Sequence, residues 1–415
     1  MSTCVAAPSL DVVLLGCGTV GGAFARLAGS ERSSPVPLNI LGALVRNRSR
    51  ARTLPASRLF AEARPLLASN PGVVVELLGG TEPARSLILD ALGRRIPVVT
   101  ANKSVLARHG SELRAAAARS GTALLYEAAV MAGVPFLGTF ARRNHAGAVS
   151  SFSGILNGTS NYILTRCAAD GWTRTQSLAD AQHRGYAEPD PHNDLAGVDA
   201  AEKLCVLLQH FAGRDVHPDA IATEGTHSLT TAQIEDARQV GGVIKPIVAA
   251  DWTRRLEAFV GPAFVPAAHV LSRVDGVENA LLLNGLHGRL LFQGPGAGPE
   301  VTAATVLGDV REIANGLASP INADLRSEPA AEPTTAWLVS LDAPRLPRLA
   351  DVADLLASYG IFTRRVTDRT TRYGPDHQAL LVFPIERERL DQGLRTLRGA
   401  AGGCASAIRA LEVTP

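Results

Sequence analysis

Asp11-Val12-Val13-Leu14-Leu15-Gly16-Cys17-Gly18-Thr19-Val20-Gly21 decides the fold. A short apolar strand, Asp11 to Leu15, runs straight into GxGxxG, and a helical pattern continues behind it through Phe24 and Leu27. In that setting each glycine has a purpose. The first permits a tight turn, the second lets a pyrophosphate approach the backbone, and the third lets helix and strand pack closely. The helix N-terminus then faces the anion. Gly16, Gly18 and Gly21, with Thr19 and Val20 between them, are therefore assigned to a dinucleotide. Cys17 sits inside the loop as a small filler, with no evident base to make it a nucleophile.

Strands and helices should alternate outward from this point, giving an α/β, Rossmann-type domain. The second strand is expected over Leu38 to Val45. Where NAD-specific folds carry an acid for the ribose hydroxyls, the sequence reads Arg46-Asn47-Arg48. A guanidinium suits a 2′-phosphate, so Arg46 points to NADP, with use of NAD left open. Val73 to Leu78 is a continuous apolar run closed by Gly79-Gly80, as in a strand buried on both faces. A helix from about Pro83 to Leu92 leads to a strand over Ile96 to Val99, which ends in Thr100-Ala101-Asn102-Lys103. Groups at the carboxyl ends of parallel strands face the ligand crevice, so Thr100 and Lys103 are expected at cofactor or substrate. Thr122 to Tyr126 completes the set.

Composition bounds the rest. At 415 residues the chain should hold two or three domains. Hydrophobic residues make up 46% and charged residues 19%, a soluble globular balance, and the net charge of +2 gives no strong field for nucleic acid or anionic membrane. The longest apolar run, 123 to 140, is broken by Glu127, glycines and a proline, so it is expected in a core and not across a membrane. The N-terminus lacks a basic stretch followed by an apolar run, so no signal peptide is expected. Five scattered cysteines without CxxC suit a reducing cytoplasm and argue against a disulfide framework or structural zinc.

The densest chemistry lies in HRGYAEPDPHNDLAGVDAAEKL, residues 183 to 204. Tyr186, Glu188, Asp190, Asp194 and Asp199 crowd four carboxylates and a phenol together, with Lys203 just beyond. Pro189 and Pro191 keep Glu188 and Asp190 on an extended loop. Asp194 has the position of an N-cap for a helix whose apolar rhythm runs Leu195, Val198, Leu204, Leu207, Leu208, Phe211. Asp199 and Lys203 are i and i+4 on it. A lysine among acids can donate a proton or clamp a charged metabolite; an ordinary surface ion pair is the plainer alternative.

Upstream, the sequence turns glycine-rich at Tyr126 to Pro135, then reads GILNGTSNYIL over 154 to 164, a strand entering a helix through a polar corner. Such corners present amides and hydroxyls to an anion. With GCGTVG, VVVELLGG, TANK, YEAAV–AGVP, GILNGTSNYIL, YAEPDP–DLAGVDAAEKL and Gly294-Pro295-Gly296-Ala297-Gly298 in order from about 10 to 320, the chain resembles homoserine dehydrogenase.

The resemblance implies reversible NAD(P)-dependent interconversion of L-homoserine and L-aspartate 4-semialdehyde. It implies Lys203 as general acid/base, assisted by Lys103, with Asp199 orienting Lys203. A Lys103–Lys203 approach would lower the donor's pKa. Glu188 would bind the α-amino group, Asp194 would join that polar network, and Thr159 with the backbone near Tyr186 would hold the carboxylate. Gly296 and Gly298 would lie near the cofactor. A monovalent cation such as sodium is implied at Glu127, Val130, Ala132 and Val134, with Met131 a departure that crowds the loop. Enzymes of similar architecture for other small amino acids, or a non-catalytic sensor, are the rivals; the intact acid and lysine set argues against both.

Strands over Leu256 to Val260, Ala280 to Asn284 and Arg289 to Gln293 should finish the substrate domain, and a helix over about 300 to 317 should return to the nucleotide domain. SEPAAEPTTA, 327 to 336, has linker composition. Beyond it come strand Trp337 to Leu341, helix Leu349 to Ser358, strands Ile361 to Thr367 and Gln378 to Phe383, a helix near 386 to 399 and a strand near 406 to 413. This βαββαβ order looks like an ACT domain, which implies feedback inhibition by L-threonine at a subunit interface. Arg348 stands where such domains usually have glycine, so effector binding and plain dimerisation both stay open. The expected scheme is 1–135 nucleotide-binding, completed by about 298–325; 136–297 an α+β substrate-binding, catalytic and dimerisation domain; 326–336 linker; 337–415 an ACT-like regulatory domain. A homodimer or homotetramer is expected.

Overall fold

Val12, Val13, Leu14 and Leu15 are completely buried in β1 (Leu10–Leu15), which uses both its faces against core. Each such side chain contributes about 1.5–3 kcal/mol relative to leaving it exposed. β1 pairs in parallel with β2 (Leu38–Leu44) and β4 (Val73–Glu76). With β3 (Leu59–Phe60), β5 (Val98–Thr100) and β6 (Leu124–Leu125) the sheet order is β3-β2-β1-β4-β5-β6, parallel throughout. This is the doubly wound arrangement, and its order reverses between β1 and β4, where ligands bind at the carboxyl ends. Helices Thr19–Ser30, Arg64–Ala68, Ala84–Gly93 and Lys103–Ser120 connect the strands.

The computed structural model describes residues 9–30, 36–50, 53–143, 148–286, 288–318, 321, 323–342, 349–366, 377–401 and 403–411. The chain forms two compact units. One comprises Met1–Phe152, Glu202–Ala220 and Leu282–Pro329; the other Ser153–Ala201, Ile221–Leu281 and Ala330–Pro415. The first contains the parallel sheet, and helix Pro299–Ala314 returns to it: Ala303, Val306 and Val310 join the core of Val12, Leu14 and Phe24.

In the second unit, strands Gly242–Asp251 and Glu257–Pro266 pair antiparallel over their full length. The first of these is not among the expected strands, because Lys245 and Pro246 interrupt its apolar run. Pro246 lies opposite Pro262, so two residues lacking an N–H face each other, and the Lys245 ammonium reaches the Val274 carbonyl and Asp275 at 2.7 Å each. The βαββαβ order appears as strand Thr335–Asp342, helix Leu349–Ser358, strands Thr363–Val366 and His377–Ile385, helix Arg387–Ala401 and strand Cys404–Ala410. Period-two alternation sorts its first strand. Trp337, Val339 and Leu341 face helices Leu349–Ser358 and Arg387–Ala401, while Ala336 and Leu338 join Leu164, Ala237, Val240 and Phe264 on the other side. Cys404–Ala410 pairs with Thr335–Asp342 and also, in parallel, with Glu257–Pro266. The segment is thus hydrogen-bonded into the second unit's sheet. Within the stretch of linker composition, the Ala331 N–H donates to the Leu256 carbonyl at 2.9 Å, and the Ala331 carbonyl accepts from Ala258 N–H at 3.0 Å. The loop position Arg348 lies outside the described residues.

The acid-rich stretch differs from expectation in one respect. Asp194 is not an N-cap: it lies inside the short helix His192–Leu195, followed by Ala196 and by Gly197 at φ +83°. That left-handed residue breaks the apolar rhythm, and the main helix begins only at Val198. It runs to Leu207 and continues as a π-turn over Leu208–Ala212. The division between the two units falls inside it, between Ala201 and Glu202.

Candidate active site

Gly16 adopts φ +107°, and a Cβ there would lie 2.7 Å from the Leu77 carbonyl oxygen. A Cβ on Gly21 would come within 2.4 Å of the Gly16 oxygen. Both positions therefore require glycine. Gly18 differs: a Cβ there meets nothing within 4 Å, so its open side is where a pyrophosphate can approach backbone. Thr19 begins the following helix, whose first turn carries no acid to repel an anion. Arg46 is exposed just beyond β2. These residues fit a dinucleotide.

At the end of β4, Glu76 is fully buried. Its carboxylate accepts the Thr100 hydroxyl at 2.6 Å, the Leu78 N–H at 2.7 Å and the Asn102 amide at 3.4 Å. Burial raises its pKa, and these hydrogen bonds oppose the rise. Thr100 is also completely buried, so its side chain is spent inside the protein. Its hydroxyl oxygen accepts the Asn102 N–H at 3.0 Å. Asn102 in turn caps the helix Lys103–Ser120 through Val105 N–H and ties to the Gly80 carbonyl at 2.7 Å. The network therefore seats Lys103 at the first position of a capped helix.

Lys203 is buried in the same unit, 9% exposed. One residue from each lysine, the Ser104 hydroxyl donates to Glu202 Oε2 at 2.6 Å. Glu202 is itself buried and lies 3.7 Å from the Arg108 guanidinium. Gln209 adds a bond to the Leu106 carbonyl at 3.0 Å. The two lysine-bearing helical turns are thus stitched together by side chains that no sequence motif singles out.

The Glu127 carboxylate accepts amide N–H groups from Phe136, Leu137 and Gly138, the last two at 2.7 and 2.6 Å, so it seats the start of helix Leu137–Arg143. Val130 and Ala132 are buried and Val134 half-buried. Ala132 receives the Thr305 hydroxyl on its carbonyl and gives its N–H to Gly296 at 3.2 Å. Gly133 bonds the Pro295 carbonyl at 3.0 Å, and Gly298, at φ +139°, precedes the helix Pro299–Ala314. The YEAAV–AGVP and GPGAG segments are thereby joined. Among the described residues no group of three His, Cys, Asp or Glu could hold a metal ion.

In the second unit, Asn157 organises the acids. Its oxygen caps helix Gly158–Asp170 by accepting Ser160 N–H at 2.8 Å. Its amide nitrogen donates to Asp194 Oδ1 at 2.7 Å and Asp199 Oδ2 at 2.9 Å. One buried side-chain amide thus holds two carboxylates in place, and the Ser160 hydroxyl fixes the Asp194 carbonyl at 2.9 Å. Thr159 donates its hydroxyl to the Tyr186 carbonyl at 2.8 Å. The Tyr186 ring packs edge-on against Tyr162, centroids 5.1 Å apart, with 43% of the residue exposed. Glu188 and Asp190 are exposed outside any helix or strand, and Gln182 bonds the Glu188 carbonyl at 3.2 Å. A set of half-buried and exposed carboxylates beside hydroxyls suits a small ammonium-bearing metabolite.

Two family models match the chain: "Homoserine dehydrogenase, NAD binding domain" over residues 16–127 and "Homoserine dehydrogenase" over 135–310. The chain belongs to the homoserine dehydrogenase family. A homoserine dehydrogenase of Lactococcus lactis subsp. lactis is 34% identical over 397 residues, covering 90% of this chain and 92% of the relative. One from Pseudomonas aeruginosa is 32% identical over 426 residues, 96% of this chain and 98% of its own. The crystal structure of a homoserine dehydrogenase from Thiobacillus denitrificans superposes with a TM-score of 0.89 at 29% identity, over 98% of this chain and 99% of that one. Membership makes the protein an NAD(P)-dependent oxidoreductase acting on the CH–OH group of L-homoserine.

Proposed function

We propose that this homoserine dehydrogenase interconverts L-homoserine and L-aspartate 4-semialdehyde with NADP, as a step toward threonine, methionine and isoleucine. The observation that carries the reading is Asn157 holding Asp194 and Asp199 while the lysine-bearing turns are stitched by Ser104 and Glu202. Lys203, assisted by Lys103, takes the hydroxyl proton as the alcohol is oxidised and returns it in the reverse direction. Asp199 orients Lys203. Glu188 and Asp194 bind the α-ammonium, and Thr159 with the Tyr186 backbone holds the α-carboxylate. The dinucleotide, when bound, accepts or supplies the hydride; the protein contributes orientation and electrostatics.

Gly16, Gly18, Thr19, Val20 and Gly21 hold the pyrophosphate, Gly296 and Gly298 lie toward the cofactor, and Arg46 takes the 2′-phosphate. A monovalent cation is assigned to main-chain carbonyls at Glu127, Val130, Ala132 and Val134, since the Glu127 side chain serves amide groups. Homo-oligomerisation is supported by the edge strand Gly288–Pro295. It exposes Leu290 and Leu291 beside an apolar pocket of about 200 Å³ lined by Phe140, Leu283 and Phe292. The C-terminal βαββαβ segment is assigned to regulation by L-threonine. No helix among the described residues is long and apolar enough to cross a membrane, and a cytoplasmic setting is proposed from the five scattered cysteines without CxxC.

The test is absorbance-monitored reduction of NADP by the purified protein with L-homoserine, with and without L-threonine. Turnover suppressed by threonine supports enzyme and sensor together. Turnover indifferent to threonine removes the effector assignment, and no turnover with NADP or NAD in folded protein removes the function. Arg46→Ala should weaken NADP selectively; equal NADP affinity would refute its role.

A further inference from the structure

Glu224 lies in the second unit just after the short strand Ala222–Thr223, and it receives two arginines from the C-terminal segment. Arg409 Nη1 donates to Glu224 Oε1 at 2.5 Å, and Arg387 Nη1 donates to the same oxygen at 2.8 Å. Arg409 is 1% exposed, bonds Glu332 with its other terminal nitrogen, and lies over Phe259 and Trp337 at 5.2 and 4.8 Å. The Arg387 guanidinium also lies over the Trp337 ring, at 5.0 Å. A guanidinium so nearly buried carries a large desolvation cost, which its carboxylate partners and ring contacts offset.

The segment these arginines hold is seated directly on the turn that follows Asp194. Glu224 N–H bonds the Val260 carbonyl at 2.8 Å, fixing the segment to the sheet. On its other side, a Cβ on Gly197 would lie 2.9 Å from the Thr223 methyl and 3.6 Å from the Glu224 carbonyl oxygen. A Cβ on Gly225 would lie 2.9 Å from the Leu195 carbonyl oxygen, and the Thr226 hydroxyl donates to that oxygen at 3.4 Å. Gly197 and Gly225 therefore let residues 223–226 pack closely against residues 195–197. Asp194 precedes that turn immediately.

We propose that Arg387 and Arg409 are positioning residues for the substrate: through Glu224 they set the turn that aims the Asp194 carboxylate. The C-terminal segment then contributes to substrate affinity in the absence of any effector. This rests on the reading of Asp194 as a substrate-binding residue. Disturbing the clamp misplaces one carboxylate and leaves the nucleotide loop untouched, so its mark is a selective loss of homoserine affinity.

The experiment is steady-state kinetics of the full chain and its variants Asp194→Asn, Glu224→Gln, Arg387→Met and Arg387→Lys, each checked for a cooperative thermal transition. Arg409 is left intact because its burial makes unfolding a trivial outcome of replacement. Glu224→Gln and Arg387→Met should raise KM for L-homoserine roughly fivefold or more, with KM for NADP within about twofold. Arg387→Lys, which keeps a donor and its charge, should stay near the parent. If Asp194→Asn raises KM while folded Glu224→Gln and Arg387→Met do not, the inference fails and the site reading stands. A parallel rise in both KM values would mean general loosening and would equally overturn it. If Asp194→Asn leaves KM for homoserine unchanged, the site reading fails and the inference falls with it.

Discussion

Replacing Asn157 with aspartate tests the organisation of the acids with little change of shape. Aspartate caps a helix as well as asparagine does, so the bond from Ser160 N–H survives. What changes is the other end of the side chain, where an amide now donates to Asp194 at 2.7 Å and to Asp199 at 2.9 Å. Each bond to a carboxylate contributes about 1.5–3 kcal/mol, so removing two forfeits about 3–6 kcal/mol of local ordering. The substitution also sets a third negative charge against two others. At about 4 Å and an effective dielectric of about 20, each like-charge pair costs about 4 kcal/mol before relaxation and proton uptake reduce it. If even about 3 kcal/mol of this total reaches the transition state, kcat/KM falls by roughly two orders of magnitude. The assay is kcat/KM for L-homoserine from pH 6 to 9, beside Asn157→Ser, which keeps a cap and loses the donors. Asn157→Ser should be impaired, and Asn157→Asp more so, recovering in part as pH falls and the new carboxyl takes up a proton. Activity of folded Asn157→Asp within about threefold of the parent would refute the argument, since charge-assisted hydrogen bonds of ordinary strength could not then be steering the acids.

The nucleotide loop separates two glycines that look alike in sequence. Gly18→Ala should leave the thermal transition within a degree or two while raising KM for NADP, and Gly21→Ala should lower the transition itself, because its Cβ meets the Gly16 oxygen at 2.4 Å. Ser104→Ala should reduce kcat more than KM for homoserine, by loosening Glu202 beside Lys203; equal kcat would show the stitch to be dispensable. In the second unit His377 bonds the buried Asp236 at 2.8 Å, and Ser340 donates to the same carboxylate. That bond raises the His377 pKa above its ordinary 6.5, with burial opposing and the Asp236 and Asp342 charges assisting. The folded state therefore holds the proton more tightly than the unfolded chain does. The resulting stability is complete below about pH 6.5 and is lost as pH rises through the raised value. Thermal melts of the parent should fall over that window, and those of His377→Gln should lack the component.

The fold was legible wherever one local pattern carried it. Asp11 to Gly21 held strand, turn and helix in one run, and GILNGTSNYIL held a strand, a cap and a helix in another. The pattern failed where pairing rescues poor strand residues, as at Lys245 and Pro246, whose place depends on Pro262 across the ladder and Asp275 beyond it. It failed again at Asp194, where Gly197 ends one turn before the main helix begins. Charge and spacing pick out the acids and lysines, while their roles, and the choice of Thr159 and Tyr186, come from the family resemblance. Asn157 carried a visible signal, since asparagine before Gly-Thr-Ser is a strong cap, but its grip on Asp194 and Asp199 joins residues 37 and 42 positions away. Ser104 and Glu202 lie 98 positions apart, so nothing in either neighbourhood announces the other.

The pairing of Cys404–Ala410 with Glu257–Pro266 also bears on how such a chain can be shortened. Cutting before Thr335 would strip one face from Leu164, Ala237, Val240, Ile244 and Phe264, all buried against the departing strands. It would also free the hydrogen-bonding edge at Ala263 and Phe264. An apolar face beside an open strand edge recruits further chains. A shortened enzyme would therefore need new polar residues at those five positions to stay dispersed, so its C-terminal segment cannot simply be clipped off by a protease or a stop codon.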